Sequence, residues 1–337
     1  MTIGIQHTKG SFSERWISYC EDNKIPFKKV DCYRNDILIQ LDDCDALMWH
    51  FSQDDERDIL FAKQLLYSVQ MMGKKVFPDF HTMWHFDDKI GQKYLFESIN
   101  APFAPTWIFF DLKAALQWID NAVFPKVFKL RCGAGSKNVR LVLTKRQSTK
   151  LVKKAFNKGL SSYDALGSLK ERWRLFRLKK TNLFDVLKGI VRFCRHPKIA
   201  RVIGPEIGYV YFQEFISKND YDIRVIVIRN RAFAIKRIVR KKDFRASGSG
   251  RILYDKNAFD ENTVKLSFSI AEKLKSQSAA FDFVYSDNKP VLLEVSYGFF
   301  ADAYDKCEGY WDNKMNWHAG QFNPYGWMVE SVIDCKK

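Results

Sequence analysis

The chain has 337 residues, of which 46% are hydrophobic and 28% charged, the balance of a globular chain rather than a disordered or fibrous one. Lys and Arg number 55 against 39 Asp and Glu, a net charge of +16 that suits acidic partners: nucleotides, acidic glycans, nucleic acid or an anionic membrane surface. Met1-Thr-Ile-Gly-Ile-Gln6 shows no basic n-region or cleavage site, no apolar run nears the ~20 residues of a bilayer span, and seven scattered cysteines lack any CxxC pair, so a cytoplasmic protein with reduced thiols and no zinc site is expected.

The first 80 residues alternate between strand and helix. Thr2–Gln6, Pro26–Val30, Asp45–His50 and Lys75–Pro78 read as strands. Phe12–Asn23 carries Phe12, Trp16, Ile17 and Cys20 at helical spacing, and Asp55–Met72 places Ile59, Ala62, Leu65, Leu66 and Val69 on one side. Gly73 follows as its terminator. Such alternation predicts a parallel sheet. No GxGxxG follows the first strand, so the layer resembles a Rossmann domain without the dinucleotide site.

A helix over Asp87–Ile99 precedes Asn100-Ala-Pro-Phe-Ala-Pro-Thr106, where two prolines force extended chain. Asp111 caps a helix to Asn121. A strand over Pro125–Leu130 runs into Arg131-Cys-Gly-Ala-Gly-Ser-Lys137, and Asn138–Leu143 returns as a strand. Residues 145–201 then hold 17 Lys and Arg and three acids, Asp164, Glu171 and Asp185. That +14 stretch reads as helices with basic and apolar faces. Beyond Pro205, strands are expected over Gly208–Phe215, Ile223–Ile228, Ala232–Val239, Ser278–Tyr285 and Pro290–Val295, with helices over Glu261–Gln277 and Trp327–Asp334.

Three features carry chemistry. Ala280-Phe-Asp282-Phe-Val and Pro290-Val-Leu-Leu-Glu294-Val-Ser296 flank the tight turn Ser286-Asp-Asn-Lys289. An inward acid on each strand, Asp282 and Glu294, must be neutralised or bind a cation, and Mg2+ is the natural choice beside phosphates; a solvated hairpin face is the plain alternative. Lys129 ends a strand where it can reach a phosphate, and Gly133 and Gly135 let backbone N–H groups close over it. Tyr211-Phe-Gln-Glu-Phe-Ile216 can pair its backbone with an adenine edge, with Asp222 in Asp220-Tyr-Asp222-Ile-Arg224 placed for ribose hydroxyls; an ordinary strand and turn would look the same.

In this order the pieces resemble the ATP-grasp superfamily, closest to RimK-like carboxylate–amine ligases, over residue 1 to about 300, with 145–205 unmatched. The resemblance implies an ATP-grasp fold of mixed α/β and α+β class: a Rossmann-like pre-ATP-grasp domain (1–85), a central subdomain (86–205) with a basic helical insertion (about 145–203), and a C-terminal subdomain (206–337) that clasps ATP against the central one. It implies Lys89 and Lys129 on the phosphates and Arg131–Ser136 as a glycine-rich flap, including Gly133, Gly135 and Ser136. Gln213, Glu214 and Ile216 fall at the adenine hinge, Asp222 at the ribose and Arg237 on the phosphates. Lys242-Asp-Phe-Arg-Ala-Ser-Gly248 resembles the family's GDFRSN segment and places Arg245 near the transferred phosphate. Asp282, Glu294 and Ser296 become the metal ligands; the family usually has Asn where Ser296 stands.

The implied activity is ATP-dependent ligation of a carboxylate to an amine through an acyl phosphate, with ATP and Mg2+, or Mn2+ in its place, and with Arg237 and Arg245 offsetting transition-state charge. The aromatic tail, Cys307–Glu330, looks like that of a subset associated with bacterial surface-polysaccharide biosynthesis. It points to a uronic acid, nucleotide sugar or glycan as the acid, with His318 as a substrate contact; hydrophobic capping of the hairpin that carries Asp282 and Glu294 would also explain the tail. Alternatives are an amino-acid or peptide ligase of the same fold, or a non-catalytic nucleotide- or nucleic-acid-binding module. Residues 145–201 have the composition for peripheral contact with the inner face of a membrane. A solvated insertion is the plain alternative, and no nucleic-acid recognition motif is present.

Overall fold

The computed structural model describes every residue except 134–137, 164, 178–180, 195–196, 240–245, 247–249 and 334–337. The chain opens with β1 (Ile3–Gln6), α1 (Phe12–Asp22), β2 (Phe27–Val30), α2 (Ile37–Gln40), β3 (Ala46–Trp49), α3 (Glu56–Met71), β4 (Lys75–Phe77), α4 (Phe80–Met83) and α5 (Lys89–Ser98). The four strands form a parallel sheet, ordered β2-β1-β3-β4, as the alternation of strands and helices predicted. β1 and β3 are buried along their whole length, as parallel strands covered on both faces must be. The hydroxyl of Ser11 caps α1 by accepting from Ser13 N–H, and the helix buries Phe12, Trp16, Ile17 and Cys20. Asp55 caps α3, and Gly73 follows its end with φ +82°.

Next come β5 (Thr106–Phe109), α6 (Leu112–Asn121), β6 (Lys126–Lys129), β7 (Val139–Val142), α7 (Lys145–Asn157), β8 (Leu160–Ser161), α8 (Ala165–Arg177), α9 (Leu183–Cys194), α10 (Lys198–Ile203), β9 (Pro205–Glu206) and β10 (Val210–Glu214). Asp111 caps α6 as expected, accepting from Ala114 N–H at 2.8 Å. Two differences from the sequence expectation stand out. The segment after the paired prolines is a strand, β5. The central sheet is ordered β5-β10-β6-β7, so a strand beyond residue 206 inserts between two earlier ones, and a boundary at 205/206 does not separate the sheets. The apolar faces of α6 and α7 cover this sheet through Ile119, Phe128, Val142, Val152 and Phe212.

The remainder holds β11 (Tyr221–Ile228), β12 (Arg231–Ile238), β13 (Ile252–Leu253), α11 (Glu261–Leu274), β14 (Ser278–Ser286), β15 (Lys289–Ser296), β16 (Gly309–Asp312), β17 (Trp317–Ala319) and α12 (Pro324–Ile333). The antiparallel order is β15-β14-β11-β12-β16-β17, with β13 also on β12. α11 packs one face, where Ile270 and Leu274 join Val225 and Phe281. Ile226, Ile228, Phe233 and Ile235 of the same sheet join Phe12, Trp16, Phe299 and Trp327 in a second core. The aromatic tail therefore does not sit on the β14–β15 hairpin. It extends the opposite edge as β16 and β17, then returns as α12 to the N-terminal unit, where Tyr19 Oη donates to Glu330 at 3.2 Å and Lys75 Nζ to the Ile333 carbonyl at 3.3 Å.

Candidate active site

Four strands lay a row of opposite charges along one face of a cleft. In register, Arg237 of β12 faces Asp222 of β11, Arg224 of β11 faces Asp282 of β14, and Asp282 faces Glu294 of β15. Asp222 and Arg224 share a face because strand side chains alternate. Arg237 Nε and Nη2 donate to the Asp222 carboxylate at 2.6 and 2.7 Å, and Nη2 also donates to Asp282 at 2.9 Å. Arg224 holds Asp282 with two hydrogen bonds of 2.5 and 2.6 Å. Asp222, Arg237 and Asp282 are buried. Burial works against the Asp282 charge, but the two guanidiniums outweigh it and hold its carboxyl down at about 2.

The register slips between Asp282 and Phe283, whose partners are Glu294 and Leu292. Leu293 is thus the extra residue of a bulge, and both Leu293 and Glu294 line the cleft. Bulges re-aim side chains in this way.

The opposite wall comes from the central sheet. Lys129 ends β6, is buried, and lies opposite Tyr211. Burial pushes its ammonium down to about 8, Glu294 opposing the effect and the charge of Lys89 adding to it. Gln213 Nε2 donates to Thr106 Oγ1 at 3.2 Å and to Tyr211 Oη at 3.3 Å, while Glu214 accepts from Lys126 Nζ at 2.5 Å. With both side chains engaged, backbone groups are what this segment can offer a ligand where β10 ends and Phe215 and Ile216 continue the cleft wall.

Lys129, Gly133, Gln213, Glu214, Ile216, Asp222, Arg237, Asp282 and Glu294 line this one cleft. Lys89 does not. Its Nζ donates to the Gly133 carbonyl at 2.9 Å, and its backbone N–H to the Arg131 carbonyl at 3.1 Å. Burial disfavours its charge, but Glu294 and Asp87 hold its pKa above the ordinary lysine value. Ser296 is also turned aside: its hydroxyl donates to the Gly298 carbonyl at 2.8 Å and accepts from Gly298 N–H at 3.2 Å. His318 belongs to the tail hairpin, 3.0 Å from Asp312 Oδ2 and stacked on Tyr310, and is not in the cleft wall. Gly135, Ser136 and Arg245 lie outside the described residues.

Four supporting residues had no assigned role in the sequence. Arg224 was readable, two residues from Asp222 on a strand. The others act over long separations. Asp87 Oδ1 accepts from Gly133 N–H at 2.7 Å, while the Arg131 amide donates to Glu206 Oε2 at 3.1 Å and to Tyr209 Oη at 2.6 Å. The Tyr209 hydroxyl in turn donates to Glu206. These contacts tether both Arg131 and Gly133 where the glycine loop begins.

The donor set suits MgATP. Among the described residues no three His, Cys, Asp or Glu side chains cluster to enclose a metal. Asp282 and Glu294 are two carboxylates on one cleft, and Mg2+ commonly takes one or two carboxylates and completes its octahedron with phosphate oxygens and water. Lys129, Arg224 and Arg237 supply the cations that phosphates need.

Residues 189–306 match the family model of the RimK-like ATP-grasp domain. Over that stretch, about a third of its length, the chain is similar to that domain. Its fold is the ATP-grasp fold expected from the sequence, and solved structures align with it nearly end to end. The RimK domain ATP-grasp protein of Sphaerobacter thermophilus is 14% identical with a TM-score of 0.57, over 99% of this chain and 100% of its own. The D-alanine–D-alanine ligase of Bacillus anthracis is 14% identical with a TM-score of 0.56, over 99% and 96%. The ATP-grasp ligase PsnB, solved with its precursor peptide PsnA2 and AMPPNP, is 12% identical with a TM-score of 0.53, over 98% and 97%. No curated protein matches the chain by sequence.

Proposed function

We propose that the protein is an ATP-dependent ligase that joins a carboxylate to an amine, releasing ADP and phosphate. The observation that carries this reading is the row Arg237–Asp222 and Arg224–Asp282–Glu294 facing Lys129 across the cleft. A carboxylate is a poor electrophile because its leaving group would be oxide; phosphorylation to an acyl phosphate supplies a good one, and the amine then displaces phosphate. Asp282 and Glu294 would hold Mg2+, which would neutralise charge on the phosphoryl oxygens when bound. Lys129 and Arg237 would bind and orient the phosphates, Asp222 would meet the ribose, and backbone groups of Gln213–Ile216 would meet the adenine edge. Arg245 is assigned beside the transferred phosphate on the DFR resemblance. Ser296 would enter the metal shell only by leaving Gly298.

For the acid we propose a negatively charged sugar, such as a uronic acid or a nucleotide-linked one destined for a surface glycan. The +16 charge supports it. Amino-acid or peptide ligation, the chemistry named for the D-alanine and PsnB neighbours, is the alternative.

The test is a hydroxylamine trap. Protein with MgATP is offered uronic acids, nucleotide-linked uronates, amino acids and dicarboxylates, with ADP and hydroxamate read together. Matching hydroxamate and ADP from one acid establishes acyl-phosphate chemistry and names that acid. Tight nucleotide binding with no ADP from any acid, free or carrier-linked, would overturn the ligase reading.

A further inference from the structure

We propose that the outer face of α9 docks the protein onto an anionic lipid bilayer, with the side chains of Leu187 and Ile190 entering the headgroup boundary. The inference rests on the helix itself and is independent of the ligase reading.

α9 has three faces. The inner one is packed on α8: Val186 is buried, and a Cβ added at Gly189 would meet Leu169 Cδ1 at 2.9 Å and Arg172 Cδ at 3.0 Å. Arg172 of α8 also binds Asp185, the single acid of α9, through both its carboxylate and its carbonyl. At about 100° per residue, Leu183, Phe184, Leu187, Ile190 and Val191 fall within an arc of about 120° on the outer side. They are 54, 64, 49, 53 and 60% exposed. An apolar stripe of this kind normally faces a core; here it faces outward. Lys188 borders it on the Phe184 side, its ammonium 4.7 Å over the Phe184 ring, and Arg192 follows about 40° further round the helix.

Charge selects the occupant. The stripe lies within residues 145–201, which carry 17 basic residues and three acids. An apolar face flanked by lysine and arginine meets both parts of an anionic bilayer, acyl chains below and phosphates at the rim. Among the described residues no helix is long and apolar enough to cross a membrane, so the attachment is peripheral and reversible.

The experiment is co-sedimentation of the full chain with vesicles of phosphatidylcholine and phosphatidylglycerol in equal parts, and with phosphatidylcholine alone, at low and high salt. The expected result is binding to the anionic vesicles that weakens with salt. Leu187→Glu with Ile190→Glu should cut it at least about tenfold, with thermal unfolding unchanged because both side chains face outward. Lys188→Glu with Arg192→Glu should weaken it and flatten its salt dependence. If the glutamate pair alters the melt, Leu187→Ser with Ile190→Ser is the readout. Wild-type protein that ignores anionic vesicles, or binding indifferent to the apolar variants, overturns the proposal. A concentration-dependent dimer lost in the Leu187 and Ile190 variants, without vesicle binding, would overturn it in favour of a second copy of this chain.

Discussion

Replacing Lys129 by methionine should stabilise the nucleotide-free protein at neutral pH and weaken its hold on ATP. The lysine is buried, and its ammonium titrates near 8 instead of the ordinary 10.5. In the unfolded chain it keeps the ordinary value. Below pH 8 both states are protonated, so the folded state bears the full cost of a buried charge. Between pH 8 and 10.5 the unfolded state holds more protons, and stability rises with pH as the cost is relieved. At about 1.4 kcal/mol per pKa unit that cost is at most about 3 kcal/mol. A phosphate beside the ammonium would restore its pKa, so nucleotide binding should take up a proton above pH 8. Affinity should then fall by up to about tenfold per pH unit. Urea denaturation of wild type and Lys129→Met, from pH 7 to pH 10, isolates this residue as the difference between two curves. Calorimetric titration with a non-hydrolysable ATP analogue in two buffers of unlike ionisation enthalpy counts the proton. A variant less stable than wild type at pH 7, or a stability difference constant across the range, would refute the reasoning.

Glu294→Gln should abolish acid-dependent ADP release while leaving the urea midpoint near that of wild type; undiminished turnover would remove the metal assignment. Arg224→Met leaves Asp282 with Arg237 alone, and loss of one partner from a buried ion pair should cost about 3 kcal/mol in urea denaturation. Asp282 contributes stability that is complete above its unfolded pKa near 4 and is lost as pH falls toward about 2. In the Arg224 variant this acid limb should move to higher pH, and an unmoved limb would show that Arg237 suffices. Gly326→Ala would place a Cβ 2.4 Å from the Tyr19 ring, so it should loosen α12 from α1 and lower the melting temperature by several degrees, consistent with about 1–3 kcal/mol of overpacking.

Much of the site was legible because its signals are local. Asp282 and Glu294 flank a tight turn that marks a hairpin; the turn's own register would set Asp282 opposite Leu293, and the bulge, which the sequence did not announce, brings Glu294 there instead. Lys129 stands at the end of an apolar strand beside glycines, and Asp222 and Arg224 alternate on another. Ser296 shows the limit of such readings: the family resemblance implies a ligand there, but its hydroxyl is engaged by Gly298. The brace of Glu206 and Tyr209 on the Arg131 amide had no sequence signal, because it joins loops more than 70 residues apart.

The sequence by itself determined the local structure and its order: a parallel α/β layer from alternating apolar strands and helices, a hairpin with an acid on each strand, and a basic helical stretch between Lys129 and Gln213. Local periodicity, capping residues and turn residues act within a few positions, so one chain suffices to read them. Only the tertiary structure decided which strand lies beside which. It placed β10 between β5 and β6, set Arg224 against Asp282 by pairing β11 with β14, and carried the tail back to α1 as α12. It also decided which face of α9 is packed on α8 and which faces outward. Pairings of this kind depend on register and packing between distant segments, and no short window of sequence contains both partners.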